Sequence, residues 1–211
     1  MHLESQIAKR LLQINAIKLK PQSPFTWASG LKSPIYCDNR IVLSHPEHRR
    51  FVIDAFTQKA RTYQGVEVIA GVATAGIAHG ALLAEELGLP FIYVRSKAKA
   101  HGRQNQIEGE AKKGSKVLVI EDLISTGGSS IAAVEALRSN GLEVIATLAI
   151  FSYGFEKAEK AFAAANCPFA TLSNYHELLE VAKNENYIQE EQITLLRDWR
   201  KNPQAWSAQF S

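Results

Sequence analysis

Cysteine is scarce in this 211-residue chain: only Cys37 and Cys167 are present. They form no CxxC pair, which argues against a disulfide framework or a zinc site and fits a reducing compartment. No apolar run approaches the ~18 residues of a membrane helix. The opening residues, Met1-His-Leu-Glu-Ser-Gln6, lack the basic-then-apolar layout of a signal peptide. A cytoplasmic protein without a membrane partner is therefore expected. Excess charge is also small, at +3. That is too mild to argue for nucleic acid, although a local basic patch for anions remains open. There is no GxGxxG. Gly71-Val-Ala-Thr-Ala-Gly76 has the glycine spacing of a Walker loop, but Ile77 stands where that loop needs lysine. Neither a Cys–His nor a Ser–His–Asp arrangement is visible, and no repeat or low-complexity stretch occurs.

What is present is ordinary for a globular chain: 46% hydrophobic and 21% charged residues. The length suits a single domain over 1–211 with a sizeable core. Ile7, Leu11, Ile14 and Ile17 fall at helical spacing and predict an amphipathic helix over 5–19. Pro21, Pro24, Gly30 and Pro34 then interrupt the chain, with short strands expected at 25–27 and 35–37. Ser44-His-Pro-Glu47 has the pattern of a capping box, with a helix following to about Tyr63.

From Gly65 strands and helices alternate. Strands are predicted at 66–70, 91–94, 117–120, 143–151 and 169–172. Helices are predicted at 74–87 and 129–140, and another is marked by Phe155, Ala158, Phe162 and Ala165. Such alternation means an α/β fold with a doubly wound parallel sheet. The tail from Tyr175 holds two more helices, the second over 192–201, and Trp199 and Trp206 read as packing residues.

The most informative stretch is Lys116-Val-Leu-Val-Ile-Glu-Asp-Leu-Ile-Ser-Thr-Gly-Gly-Ser-Ser130. A doubly buried strand runs into two carboxylates, then a Gly/Ser/Thr loop, then a helix. Ligands of open α/β sheets sit beyond the carboxyl ends of the strands. A glycine loop at a helix start offers free amides to an anion. Carboxylates repel phosphate but accept hydrogen bonds from hydroxyls and bind Mg2+. A ribose 5-phosphate satisfies both halves.

One segment breaks the alternation. Residues 95–114 are almost devoid of apolar side chains, and Arg95, Lys97, Lys99 and Arg103 cluster in the first half. A loop this long is uncommon in a compact domain. It reads as a cationic lid for a polyanion.

The stretch from Val117 to Ser129 resembles the phosphoribosyl pyrophosphate (PRPP) signature of type I phosphoribosyltransferases. Three further segments narrow the likeness. Phe25-Thr-Trp-Ala-Ser-Gly-Leu-Lys-Ser-Pro-Ile-Tyr-Cys-Asp-Asn-Arg40 resembles the hood of the orotate phosphoribosyltransferase family. Arg95-Ser-Lys-Ala-Lys-Ala-His101 resembles its mobile catalytic loop, and Gly71–Gly76 sits where that family has its pyrophosphate loop. The similarity spans about residues 5 to 210.

The resemblance implies transfer of phosphoribose from PRPP to orotate, giving orotidine 5′-monophosphate and pyrophosphate in pyrimidine synthesis. It implies a hood mainly from 1–43 with the helices of 175–211, a mobile loop at 95–114, and a homodimer whose lid residues are shared between subunits. It places Glu121, Asp122, Leu123, Ile124, Ser125, Thr126, Gly127, Gly128 and Ser129 on PRPP, with Thr126 to Ser129 at the 5′-phosphate. Both acidic residues reach the ribose only if the backbone turns there. Arg95, Lys99 and His101 fall on the pyrophosphate, and Lys99 and Asp122 are the candidate catalytic pair. Ser125 falls on orotate, with Lys32, Ser33 and Tyr36 as further candidates. Mg2+ is the implied cofactor, held by PRPP and water with no direct protein ligand. Some members carry lysines where this chain has Ala28 and Ala75. Second-loop arginines that contact orotate have no counterpart near Tyr153-Gly154. Other readings are a phosphoribosyltransferase for another base and a PRPP-binding regulator. The hood argues against a purine enzyme, and the sparse charge of the first helix argues against a DNA-binding regulator.

Overall fold

The computed structural model describes residues 2–96 and 106–210. A six-stranded sheet forms the centre, in the spatial order β10-β9-β8-β5-β6-β7. Its strands are β5 (Val68–Val72), β6 (Phe91–Val94), β7 (Ile107–Glu108), β8 (Lys116–Ile124), β9 (Glu143–Ser152) and β10 (Phe169–Asn174). Five are parallel, and β7 alone runs antiparallel, against β6. The strand order reverses between β5 and β8, which makes the carboxyl ends of that pair the switch point of the sheet.

Helices α4 (Gly128–Ser139) and α5 (Glu156–Ala164) cover one face. The other face carries α1 (Leu3–Gln13), α2 (Pro46–Ala60), α3 (Ala75–Leu87) and α6 (Tyr175–Asn184). Central strands buried on both faces explain the continuous apolar runs: all five residues of β5 are buried, as are Val117 to Glu121. Gly76 lets α3 approach β8 closely, since a Cβ there would meet the Ile120 carbonyl oxygen.

The amino-terminal region departs from the expected pattern. The first helix stops at Gln13, and Asn15 adopts φ 58°. Ile17–Leu19 then forms a strand (β1), paired with Ile35–Cys37 (β4). The buried Ile17 fits both periods, so the helical spacing overran the helix. The strands at 25 and 35 are not partners; Phe25–Thr26 (β2) pairs with Lys32–Ser33 (β3) across a tight turn. Nor does a capping box form at 44–47. Ser44 ends a 3₁₀ turn over Asn39–Ser44, and α2 starts from His45 with Pro46 in its first turn.

The tail holds α7 (Glu190–Lys201) and a short α8 (Pro203–Ser207). It packs back on the amino-terminal hairpins. The Lys32 amide donates to Ser207 Oγ at 2.8 Å. Trp199 and Trp206 are buried there, as their composition suggested.

Candidate active site

Strand β8 does not end at the acidic pair; it runs on to Ile124, so the backbone makes no turn at Glu121 and Asp122. Alternation alone would send the two side chains to opposite faces, yet their carboxylates lie within hydrogen-bond reach of one another. Glu121 is buried and points inward. Its Oε2 accepts from the hydroxyls of Ser129 (3.2 Å) and Ser130 (3.3 Å), and its Oε1 accepts from the Asp122 amide (3.1 Å). Asp122 is the more open of the two. Burial, with the Asp122 carboxylate beside it, pushes Glu121 up to about 8. Burial also raises Asp122. Two adjoining carboxylates in a low-dielectric pocket favour keeping a proton between them.

Ser125, Thr126 and Gly127 follow β8 and lead into α4. Gly127 is the N-cap, with φ 83°, a conformation that disfavours any side chain. No side chain caps α4. Its first-turn amides therefore face outward with nothing competing for an anion. Gly127 also lies over the Phe162 ring, where a Cβ would come within 3.2 Å. Thr126, Gly128 and Ser129 are exposed, and together they form a cup at the switch point.

A cavity of about 400 Å³ adjoins this cup. It is lined by Thr26, Trp27, Ala28, Tyr36, Cys37, Leu123, Ser125 and Tyr153. So the hairpins from the amino terminus close over the end of β8, and Ser125 belongs to both compartments. The Lys32 ammonium donates to Thr26 Oγ1 at 2.9 Å, which holds a cation at the cavity's edge. Tyr36 is 40% exposed and packs on Phe25. Ser33 is sealed instead: its hydroxyl donates to the Ile35 carbonyl and accepts from the Ile35 amide. Burial, then Asp122 and Asp38, push the Cys37 thiol well above its ordinary range, so it stays protonated and inert. A larger cavity, about 690 Å³, opens at the other end of the sheet between Glu67, Glu110, Lys112 and Lys113. It lies at the amino-terminal ends of the strands, away from the cup.

Arg95 leaves β6 beside the site. Its guanidinium pairs with Glu108 at 3.5 Å, and its amide donates to the Gln106 carbonyl at 2.8 Å. Lys97, Lys99, His101 and Arg103 lie outside the described residues. Leu123 is half-buried and lines the cavity, whereas Ile124 is buried in the sheet. Sequence reasoning passed over Trp27, Cys37, Tyr153 and Asn39 as site residues. Trp27, Cys37 and Asn39 stood within the stretch Phe25–Arg40. Tyr153 had a signal of its own, an aromatic at the carboxyl end of a parallel strand.

Residues 39–180 match the family described as phosphoribosyl transferase domain. An orotate phosphoribosyltransferase of Listeria innocua is 54% identical over 207 residues, covering 98% of this chain and 99% of the relative. One from Staphylococcus saprophyticus is 57% identical over 197 residues, 93% and 97% of the two chains. The chain belongs to the orotate phosphoribosyltransferase family. Among solved structures, the orotate phosphoribosyltransferase of Aeropyrum pernix superposes with a TM-score of 0.75. It is 28% identical and covers 87% of this chain and 99% of that one. The six-stranded, mostly parallel sheet flanked by helices is thus that of a phosphoribosyltransferase.

Proposed function

We infer that the chain transfers the phosphoribosyl group of PRPP to orotate, forming orotidine 5′-monophosphate and releasing pyrophosphate. The observation that carries this is the joining of two compartments at Ser125: an amide-lined cup fit for a phosphate, and an aromatic-walled cavity fit for a flat base. We assign the ribose to Asp122, three residues before Ser125 at the same strand end. Its carboxylate accepts from ribose hydroxyls, while Glu121 braces the loop through Ser129 and Ser130. When the C1–pyrophosphate bond breaks, negative charge builds on the departing oxygens and positive charge on the sugar. Groups that bind pyrophosphate more tightly as that charge develops lower the barrier. Arg95, Lys99 and His101 are the residues we assign to this task.

Magnesium fits the donor set, since Asp122 offers a hard oxygen beside the cup. Among the described residues the one cluster of three ligand groups is His2, Glu4 and Glu177, none of them in the loop after β8. The ion would therefore arrive held mostly by PRPP and water, and it would neutralise diphosphate charge there. A homodimer sharing its lids, and a cytoplasmic setting, complete the reading. Both free cysteines support the latter, and no described helix is long and apolar enough to cross a membrane.

The test is an assay with PRPP and Mg2+ against orotate, uracil, adenine and hypoxanthine. Turnover is expected with orotate. Turnover with a purine alone, or with no base, would refute the assignment.

A further inference from the structure

Tyr153 is almost wholly enclosed, at 3% exposure. Four rings hold it. Trp27 stacks on it at 5.5 Å and 29°, Trp199 and Phe151 meet it edge-on at 5.7 and 5.9 Å, and Phe155 tilts against it at 5.4 Å. Through Trp199 the clamp extends to Tyr175. Packing of this kind leaves the phenol one orientation. Yet the hydroxyl has no hydrogen-bond partner among the described residues, and the residue lines the 400 Å³ cavity. Unlike the Trp199 indole nitrogen, which is fully buried without a partner, the Tyr153 oxygen is not sealed off, so an acceptor entering the cavity can reach it. Burial, with Cys37, Tyr175 and Asp122 adding to it, raises the phenol well above its ordinary range, so it carries its proton throughout the neutral range.

Among the described residues, none that lines this cavity is cationic. Lys32 reaches only its edge, through Thr26. The described donors that can face the base are therefore neutral. Ser125 is half-buried and Tyr36 exposed, whereas Tyr153 is fixed before the base arrives.

We propose that Tyr153 is a specificity-determining residue of the base subsite, donating its phenolic hydrogen to an oxygen of the incoming pyrimidine. It does the work that a loop arginine would do at the end of β9. A fixed neutral donor selects a flat ring with an acceptor at one position, and it rejects rings that leave the hydroxyl unpaired. The proposal rests on orotate being the acceptor base.

The test is Tyr153→Phe, which keeps the ring and its four neighbours. Steady-state kinetics with orotate and PRPP, and the reverse reaction with orotidine 5′-monophosphate, are measured beside the melting temperature. The KM for orotate is expected to rise about tenfold. The KM for orotidine 5′-monophosphate should rise with it, while the KM for PRPP and the melting temperature hold steady. An orotate KM within twofold of the wild type would overturn the proposal. So would equal rises in both forward KM values with a lowered melting temperature, because that marks a packing role. Failure of the wild-type protein to use orotate at all would instead refute the assignment of the base.

Discussion

The side-chain amide of Asn39 donates to the main-chain carbonyl of Asp122 at 2.7 Å, across 83 positions of sequence. Asn39 is fully buried and opens the 3₁₀ turn ahead of α2. It accordingly fixes the strand end from above. Asn39→Ala leaves a buried carbonyl unpaired, a loss of about 1–3 kcal/mol. Chemical denaturation should register that loss, and the KM for PRPP should rise several-fold. An unchanged PRPP KM would show that the strand end holds its position unaided.

The two carboxylates should respond differently to neutralisation. Asp122→Asn is expected to weaken PRPP use and lower kcat by about tenfold or more, because the open carboxylate is the one we assign to the ribose. Glu121→Gln copies the protonated form that burial favours, and should preserve folding at pH 7. Paired kinetic and thermal measurements check this. Equal loss in both variants would contradict the division of labour.

Glu121 also fixes a pH dependence. Its folded value, about 8, lies above its ordinary value, 4.5. The native state therefore binds the extra proton, and stability falls as pH rises from about 4.5 to about 8. His79 works in the opposite direction. It is buried in α3, and neither ring nitrogen makes a hydrogen bond, the Asn39 main chain offering at most a marginal one. Burial depresses it from 6.5 to about 4. The unfolded chain then binds the extra proton, and up to roughly 3 kcal/mol is lost as pH drops from 6.5 to 4. Melting temperatures across pH 4–9 should fall more gently on the alkaline side in Glu121→Gln, and on the acid side in His79→Leu. Slopes matching the wild type would contradict these assignments.

Trp199 is the hub where Trp27, Tyr153, Phe155 and Tyr175 meet. Trp199→Ala should cost about 3–5 kcal/mol of stability. In the surviving folded fraction, the KM for orotate should suffer before that for PRPP, because the cavity wall loosens while the cup does not. Isothermal denaturation and kinetics at low temperature would separate the two effects.

Lys99→Ala should lower turnover by about a hundredfold, by analogy with the loss of one oxyanion donor. Circular dichroism should be unaltered. A wild-type rate would remove this lysine from the chemistry.

The sheet was legible because its central strands are buried on both faces, as in the run 117–120, and because strands and helices alternate regularly along the chain. The loop after β8 was legible because Gly127, at φ 83° and against the Phe162 ring, marks the handover from strand to helix. What escaped is what sequence spacing cannot encode. Ile17 satisfies a helical and an extended pattern alike, and only its pairing with Cys37 decides. The Ser44–Glu47 pattern lost to Pro46 in the first turn. The continuation of β8 through Glu121 and Asp122 depended on hydrogen bonds to β9 at Glu121 and Leu123. Tyr153 could not be placed, because the rings around it come from positions 27 to 199.

The short antiparallel strand β7 has one more implication. Val94 faces Ile107, and the Arg95 amide meets the Gln106 carbonyl, so this excursion leaves and rejoins the sheet at a single point. Its length is thereby uncoupled from the scaffold. Evolution, or an engineer, can lengthen, shorten or graft the intervening residues without redrawing the sheet, much as a hairpin tip is exchanged on an antibody framework.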